Sequence, residues 1–289
     1  MYLIQNKPDN YCQAYSVRTI NMRLHEITVD PRIISSVSNI DADANKMIEA
    51  VKIECSDAIL AAAKNRLIFK GMFITGLPLL IKTNPALIER KSQNTANHYT
   101  VLLSNLPEWK RFPKRSRSLI CSTSYKYAAE YGSSTFLVLP KNGTKIGVCS
   151  QRDFWESFPV MQRLSNLVSG RFHNMDQFTE FLAEECDIPD TLPYDKMIAR
   201  MLEKKQTLAN CFPLMATAET TRDIRTELGK ILNPKQNEFR LSTINTIPPT
   251  NITREVWFSD EAYLLNTDDS LFLEVLEKLH IPISSKWYR

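Results

Sequence analysis

The residue pattern predicts an α+β protein in which two small antiparallel sheets surround a cleft and helices lie outside them. Short apolar runs that read as strands fall near residues 66–74, 119–121, 136–139, 238–247, 255–258 and 261–265, whereas three- and four-residue apolar spacing dominates residues 1–63 and 157–233. Helices are thus segregated into blocks, without the regular βαβ alternation of a doubly wound sheet. Glycine is also scarce: the 7 in the chain form neither G-x-G-x-x-G nor G-x-x-x-x-G-K-[ST], which argues against a Rossmann or P-loop nucleotide site. The expected division is a helical lead-in lobe over residues 1–63 and a second domain over 64–289, with a helical insertion at about 157–233.

Bulk composition narrows the class further. With 289 residues, 43% hydrophobic and 24% charged, the chain has the make-up of a globular protein with a continuous core. A formal net charge of +4 is too small at this size to argue by itself for nucleic acid or an anionic membrane. The segment Met1-Tyr2-Leu3-Ile4-Gln5-Asn6-Lys7-Pro8 lacks the basic and apolar regions of a secretory signal, and no run approaches the ~18 apolar residues of a spanning helix. An intracellular protein without a membrane partner is expected. The 6 cysteines are widely spaced, with no C-x-x-C pair and no histidines at ligand spacing, so reduced thiols and no metal site are expected.

Taken in order, Tyr11–His25 reads as helical and Asp30-Pro31 interrupts the chain. Ile48, Val51, Cys55, Ile59 and Ala62 fall on one face of a helix from Ala44 to Ala63. Arg66–Ile74 is a nearly continuous apolar strand carrying Lys70, which must either reach solvent at the strand end or meet an anion, because a buried unpaired ammonium is costly. Tyr99–Ser104 is a candidate strand in a polar connection, and His98 beside it reads as structural. Lys110–Arg117 holds five positive charges in eight positions, compatible with a solvated loop, a pyrophosphate or acidic-partner contact, or nucleic acid.

Arg115–Gly147 is the densest stretch. Leu119–Cys121 reads as a strand and Ser122, Thr123 and Ser124 as a hydroxyl cluster at its end. Ser124 can cap a short helix that leaves through Gly132, Phe136–Leu139 is a second strand, and Asn142-Gly143 supplies positive φ for a turn. After Gly147, Arg152, Phe154 and Trp155 form a loop with an arginine and two aromatics. The block at 157–233 shows a capping-box-like start at Asn174 and Gln177, a methionine-rich face at Met197, Met201 and Leu202, and a helix from Thr220 to Leu232 ending before Pro234. A strand region at Glu238–Ile247 follows, then Pro248-Pro249 and a polar turn leading into Glu255-Val256-Trp257-Phe258, a strand at Glu261–Leu265, and an amphipathic segment at Leu271–Leu279.

Three of these pieces together resemble the mono-ADP-ribosyltransferase family: Leu67-Ile68-Phe69-Lys70-Gly71 matches its aromatic-Arg-Gly strand, Ser122-Thr123-Ser124 its Ser-Thr-Ser strand, and Glu255 the glutamate that opens a strand after a turn-rich loop. The resemblance implies a fold of paired antiparallel sheets around a cleft, with NAD as substrate and ADP-ribose transferred to an acceptor protein. It implies catalytic roles for Glu255 and Ser122, and NAD contacts from Lys70, Gly71, Arg66, Thr123, Ser124, Arg115, Arg117, Arg152 and Phe154. Lys70 stands where the family has arginine and offers a point charge instead of a bidentate fork. Thr253 stands where arginine-modifying members carry glutamate or glutamine. Members of this kind are often bacteriophage proteins or bacterial effectors acting on a host target. A catalytically inactive scaffold with a structural or interaction role is the alternative, and a nucleic-acid-binding module the third.

Overall fold

Nine strands of three to seven residues, all paired antiparallel, make one hydrogen-bonded sheet in the computed structural model, which describes residues 33–73, 78–89, 97–166 and 172–282. The strands are β1 (Ile33–Val37), β2 (Ile68–Met72), β3 (Leu80–Thr83), β4 (Leu119–Ser122), β5 (Ser134–Pro140), β6 (Ile146–Val148), β7 (Arg240–Ser242), β8 (Glu255–Phe258) and β9 (Ala262–Asn266). Their spatial order is β1-β3-β9-β5-β2-β4-β8-β6-β7. The expected pair of small sheets is therefore corrected to a single ladder, with one qualification in its geometry. Between β2 and β4 the ladder narrows to a single register pair, Phe69 with Ser122, whereas β2 matches β5 over Ile68 to Met72 and β4 matches β8 over Leu119 to Ser122. A five-stranded half and a four-stranded half meet at that seam.

The helices are α1 (Ala42–Glu54), α2 (Ser56–Ala62), α3 (His98–Asn105), α4 (Tyr125–Ala129), α5 (Pro159–Asn166), α6 (Met175–Glu184), α7 (Tyr194–Glu203), α8 (Lys205–Ala209), α9 (Thr221–Ile231) and α10 (Phe272–Lys278). Their ends follow local chemistry. Asp41, Ser124, Asn174 and Thr220 each accept a hydrogen bond from a first-turn backbone N–H, and Thr220 with Asp223 completes a capping box. The helix expected over residues 44–63 is broken at Cys55, whose thiol donates to the Leu139 carbonyl oxygen at 3.3 Å.

Four readings differ from the structure. The strand expected at Glu238–Ile247 is confined to β7, because the chain turns into a single 3-10 turn at Ile244–Thr246 in which Thr243 and Thr246 cap each other. The stretch taken as wholly helical up to residue 63 contains β1, where Ile33, Ile34 and Val37 supply β-branched side chains at the sheet's edge. The candidate strand at Tyr99–Ser104 is helix α3: Tyr99, Leu102, Leu103 and Leu106 are buried at helical spacing, and a short apolar run does not by itself separate the two periods. Gly132 does not leave α4 through a left-handed conformation, since Gly143 (φ 74°) is the glycine with positive φ among the described residues. Instead, a Cβ on Gly132 would come within 2.2 Å of the Met72 backbone nitrogen, and one on Gly71 within 2.1 Å of the Ala128 carbonyl oxygen. These two glycines let α4 and its exit lie directly on β2. The readings at Tyr11–His25 and at residues 286–289 lie outside the described residues.

Two apolar cores flank the sheet. The first joins α1, α2 and α10 to the strands, with Val51, Ile68, Phe136, Leu137, Leu264 and Leu276 fully buried. The second gathers α3 and the helices of the 157–233 block around Trp109, Phe154, Phe158, Phe239 and Trp257. Strand alternation divides β8 between them: Val256 and Phe258 enter the first core, while Trp257 enters the second. Glu255 therefore leaves β8 on the side of the helical block. Among the described residues no helix is long and apolar enough to cross a membrane, and no group of three or more His, Cys, Asp or Glu could hold a metal ion. Cys55, Cys121, Cys149, Cys186 and Cys211 are buried free thiols.

Candidate functional site

Ser122 and Glu255 are direct register partners on the adjacent strands β4 and β8. Residues opposite each other in an antiparallel pair project to the same side of the sheet, so the hydroxyl and the carboxylate are neighbours, not groups facing one another across a gap. Ser122 is buried, and its Oγ accepts a hydrogen bond from Ser124 N at 3.0 Å. Thr123 is fully buried and stitches the cluster to the loop that delivers Glu255. Its Oγ1 donates to the Ile252 carbonyl oxygen at 2.6 Å and accepts from Arg254 N at 2.8 Å, while its own N donates to the Arg254 carbonyl oxygen at 3.0 Å. The side chain of Ser124 caps α4, accepting from Tyr127 N at 3.3 Å.

Both carboxylate oxygens of Glu255 are held. Arg115 Nη1 donates to Oε1 at 2.6 Å and Phe154 N donates to Oε2 at 3.3 Å, and the Arg115 and Glu255 side chains are 7% and 12% exposed. The guanidinium carbon lies 3.9 Å from the centroid of the Phe154 ring, 5.1 Å from Trp257 and 6.0 Å from Tyr99, so an aromatic box surrounds the cation. Burial opposes the charged form of Arg115, but the Glu255 carboxylate outweighs it and holds the guanidinium above its ordinary value. Arg115 Nε is buried without a hydrogen-bond partner among the described residues.

A second acidic group lies close by. Asp153 accepts from Glu156 N at 3.0 Å and from the Tyr127 hydroxyl at 3.3 Å, and Tyr131 donates to the Tyr127 hydroxyl at 2.9 Å. Burial, with the negative charges of Glu156 and Glu255, pushes the Asp153 carboxyl above its ordinary value. Burial and the hydrogen bond with Tyr131 push the Tyr127 phenol up as well. Desolvation raises the buried Cys149 thiol too, with the Glu255 charge adding to it. The surroundings of Glu255 thus favour the neutral forms of Asp153, Tyr127 and Cys149 while Arg115 supplies a fixed positive charge.

The expected binding residues are distributed more widely. Lys70 is half-buried in the middle of β2, paired with Phe136 of β5. Gly71 has the close-packing role described above. Arg66 donates through Nη1 to the Ile247 carbonyl oxygen, so its guanidinium ties the start of β2 to the segment before Pro248. Arg117 is exposed and lies 3.7 Å from Glu89, and Arg152 is exposed in an i,i+4 pair with Glu156 at 3.0 Å. Phe154 is fully buried beneath Arg115. Arg115 was expected beside a diphosphate and is found as the partner of Glu255. Asp153, Tyr127, Tyr99 and Trp257 complete the surroundings without having been singled out as site residues; the alternation of β8, which buries Trp257 beside Glu255, is the one sequence signal that pointed to any of them. His98, read as structural, is fully buried with Nε2 2.6 Å from the Ile188 carbonyl oxygen, and burial lowers its proton affinity. Comparison with protein-family models, with curated proteins and with solved structures gives no match.

Proposed function

We propose that the protein is an NAD-dependent mono-ADP-ribosyltransferase, with Glu255 as the charge that stabilises the reacting sugar and an acceptor protein as second substrate. The observation that carries the reading is the register pairing of Ser122 with Glu255, two residues far apart in sequence that the motif resemblance names for one site. Cleavage of the nicotinamide glycosidic bond releases a neutral base from a cationic precursor and leaves an oxocarbenium-like ribosyl centre. Such a reaction needs a fixed negative charge beside the sugar more than it needs acid catalysis. Glu255 meets that need because its strand position, the Thr123 staple on the preceding loop and the Phe154 N–H fix it before substrate arrives. Arg115, with an Nε donor left over after its pairing, is the cation nearest that carboxylate for an anionic group of the dinucleotide.

A second reading, an inactive scaffold of the same family with a structural or interaction role, draws on the same ion pair: a carboxylate neutralised by a buried arginine is less available to a developing cation. Release of nicotinamide from NAD, and label transfer to a host extract, separate the two. Glu255→Gln keeps shape and hydrogen-bonding capacity; compared under conditions where both proteins are fully folded, because the change leaves Arg115 without its counter-charge, it should leave NAD binding intact while lowering turnover on the order of 10²-fold or more. Equal turnover in wild type and variant removes Glu255 from the mechanism. Wild-type NAD binding without turnover in any extract selects the inactive scaffold.

A further inference from the structure

The cations before Arg115 are not absorbed by the site described above. Lys110, Arg111 and Lys145 line a surface groove of about 680 Å³ whose remaining walls are Phe112 and Leu241. The groove is built from two elements far apart in sequence, the loop entering Arg115 and the turn entering β6, with β7 at the sheet's edge beside them. Its apolar wall is braced: the Phe112 ring stacks on Trp257 at 6.0 Å and 19°, and the Trp257 indole N–H donates to the Pro113 carbonyl oxygen at 2.9 Å. Leu241 is 41% exposed, an apolar side chain left uncovered between positive charges. Among the described residues no carboxylate lies within ion-pair distance of Lys110, Arg111 or Lys145, although neighbouring cations along the chain find one: Arg115 pairs with Glu255, Arg117 with Glu89 and Lys141 with Glu54 and Glu261.

We propose that this groove binds single-stranded nucleic acid. Three unpaired cations around a braced aromatic form an electrostatic track with a stacking platform, the combination that holds a phosphodiester chain while one base rests on a ring. A protein partner fits less well. Lysine is depleted at protein interfaces, and two of the three cations here are lysines. The edge strand β7 spans only Arg240–Ser242, too short a template for an added peptide strand. Phosphate contacts and ring stacking do not read base edges, so recognition is expected to be independent of base sequence. None of the groove's five residues hydrogen-bonds or ion-pairs with Glu255 or Ser122, although Phe112 stacks on Trp257 of the aromatic box around Arg115.

The test is fluorescence anisotropy with a labelled oligouridylate of about a dozen nucleotides on the full chain. Three phosphate contacts predict a slope of log affinity against log salt near −2, at roughly 0.7 per contact on single strands, so raising salt from about 50 to about 200 mM weakens binding roughly 15- to 20-fold. The triple variant Lys110→Glu/Arg111→Glu/Lys145→Glu, with thermal unfolding confirming its fold, should lose at least ~10-fold in affinity and most of the salt slope. Phe112→Leu keeps apolar volume against Trp257 and should weaken binding by ~5-fold or more without changing the slope. The proposal is overturned by absence of binding at low salt, or by unchanged binding in the triple variant. It is equally overturned if polyglutamate displaces the oligonucleotide at equal charge while Phe112→Leu is silent, which would assign the groove to an acidic protein.

Discussion

A set of ion pairs sits in each half of the sheet, and the two sets are built differently. In the five-stranded half, Lys82 and Lys141 alternate with Glu54 and Glu261: Lys141 is 2.9 Å from Glu54 and 2.5 Å from Glu261, Lys82 is 3.5 Å from each, and Tyr263 donates to Glu54 at 3.1 Å. Every charged side chain there keeps between 22% and 33% of its surface in water. In the four-stranded half a single pair, Arg115 with Glu255, is nearly removed from solvent inside an aromatic box. The first arrangement shares charge among four partners and leaves each solvated. The second concentrates one charge of each sign where water is scarce. Solvated networks fasten elements together at little cost, whereas a buried isolated pair is expensive to assemble and costly to break, which suits a fixed electrostatic device.

The sharpest way to break this contrast is to remove one member from each cluster. Arg115→Met leaves the Glu255 carboxylate buried without its counter-charge and should destabilise the fold by about 3–5 kcal/mol in urea unfolding. The double variant Arg115→Met/Glu255→Gln should recover most of that loss. If the single variant costs no more than a surface substitution, the pair is not the desolvated device described here. Lys141→Met, by contrast, should cost about 1 kcal/mol or less, because Lys82 remains and water reaches both glutamates.

Acid titration sharpens the comparison with a smaller effect. Burial pushes Glu54 up, but hydrogen bonds from Lys141 and Tyr263 and the Lys82 charge bring it below its ordinary value of 4.5; the Lys141 hydrogen bond likewise lowers Glu261. A carboxyl group with a depressed folded value contributes stability that is present above 4.5 and lost as pH falls through the folded value. Asp153 has the opposite sign: raised by burial, it subtracts stability as pH rises from its ordinary 3.8 through the folded value. Thermal unfolding followed against pH should therefore show that Glu261→Gln flattens the acid limb, and that Asp153→Asn is at least as stable as wild type at neutral pH with the advantage gone below 3.8. An Asp153→Asn variant less stable than wild type at neutral pH would show that its hydrogen bonds to Glu156 N and Tyr127 outweigh its desolvation.

Local chemistry made much of this fold readable. The β8 strand opens at Glu255 after the Pro-Pro turn, Ser124 caps α4, Asn174 caps α6, and α9 begins directly after Thr220. Each of these depends on neighbours within a turn or a strand. What could not be read depends on distant partners. Helix α3 and a strand share one short apolar run, and only burial against Phe154 and Trp155 decides between them. Arg115 is one of five cations in eight residues, and nothing in that run marks it as the buried one; its partner is 140 residues away. The unbroken ladder between β2 and β4 rests on one pair, which no local pattern encodes.

That seam and the strand order bear on how the chain is made. β9 lies between β3 and β5, and β8 between β4 and β6, although both come late in sequence, at Ala262–Asn266 and Glu255–Phe258. A nascent chain that has emerged only as far as Arg254 can pair β1 with β3, β6 with β7, and β5 with β2 and, through one residue pair, β4, but nothing joins these pieces. Until β8 and β9 leave the ribosome, β3, β4, β5 and β6 each present an unpaired apolar edge, the form in which a chain aggregates or recruits a chaperone. Completion of the sheet thus waits for two short strands, β8 and β9, to emerge and slot between strands that precede them in the chain.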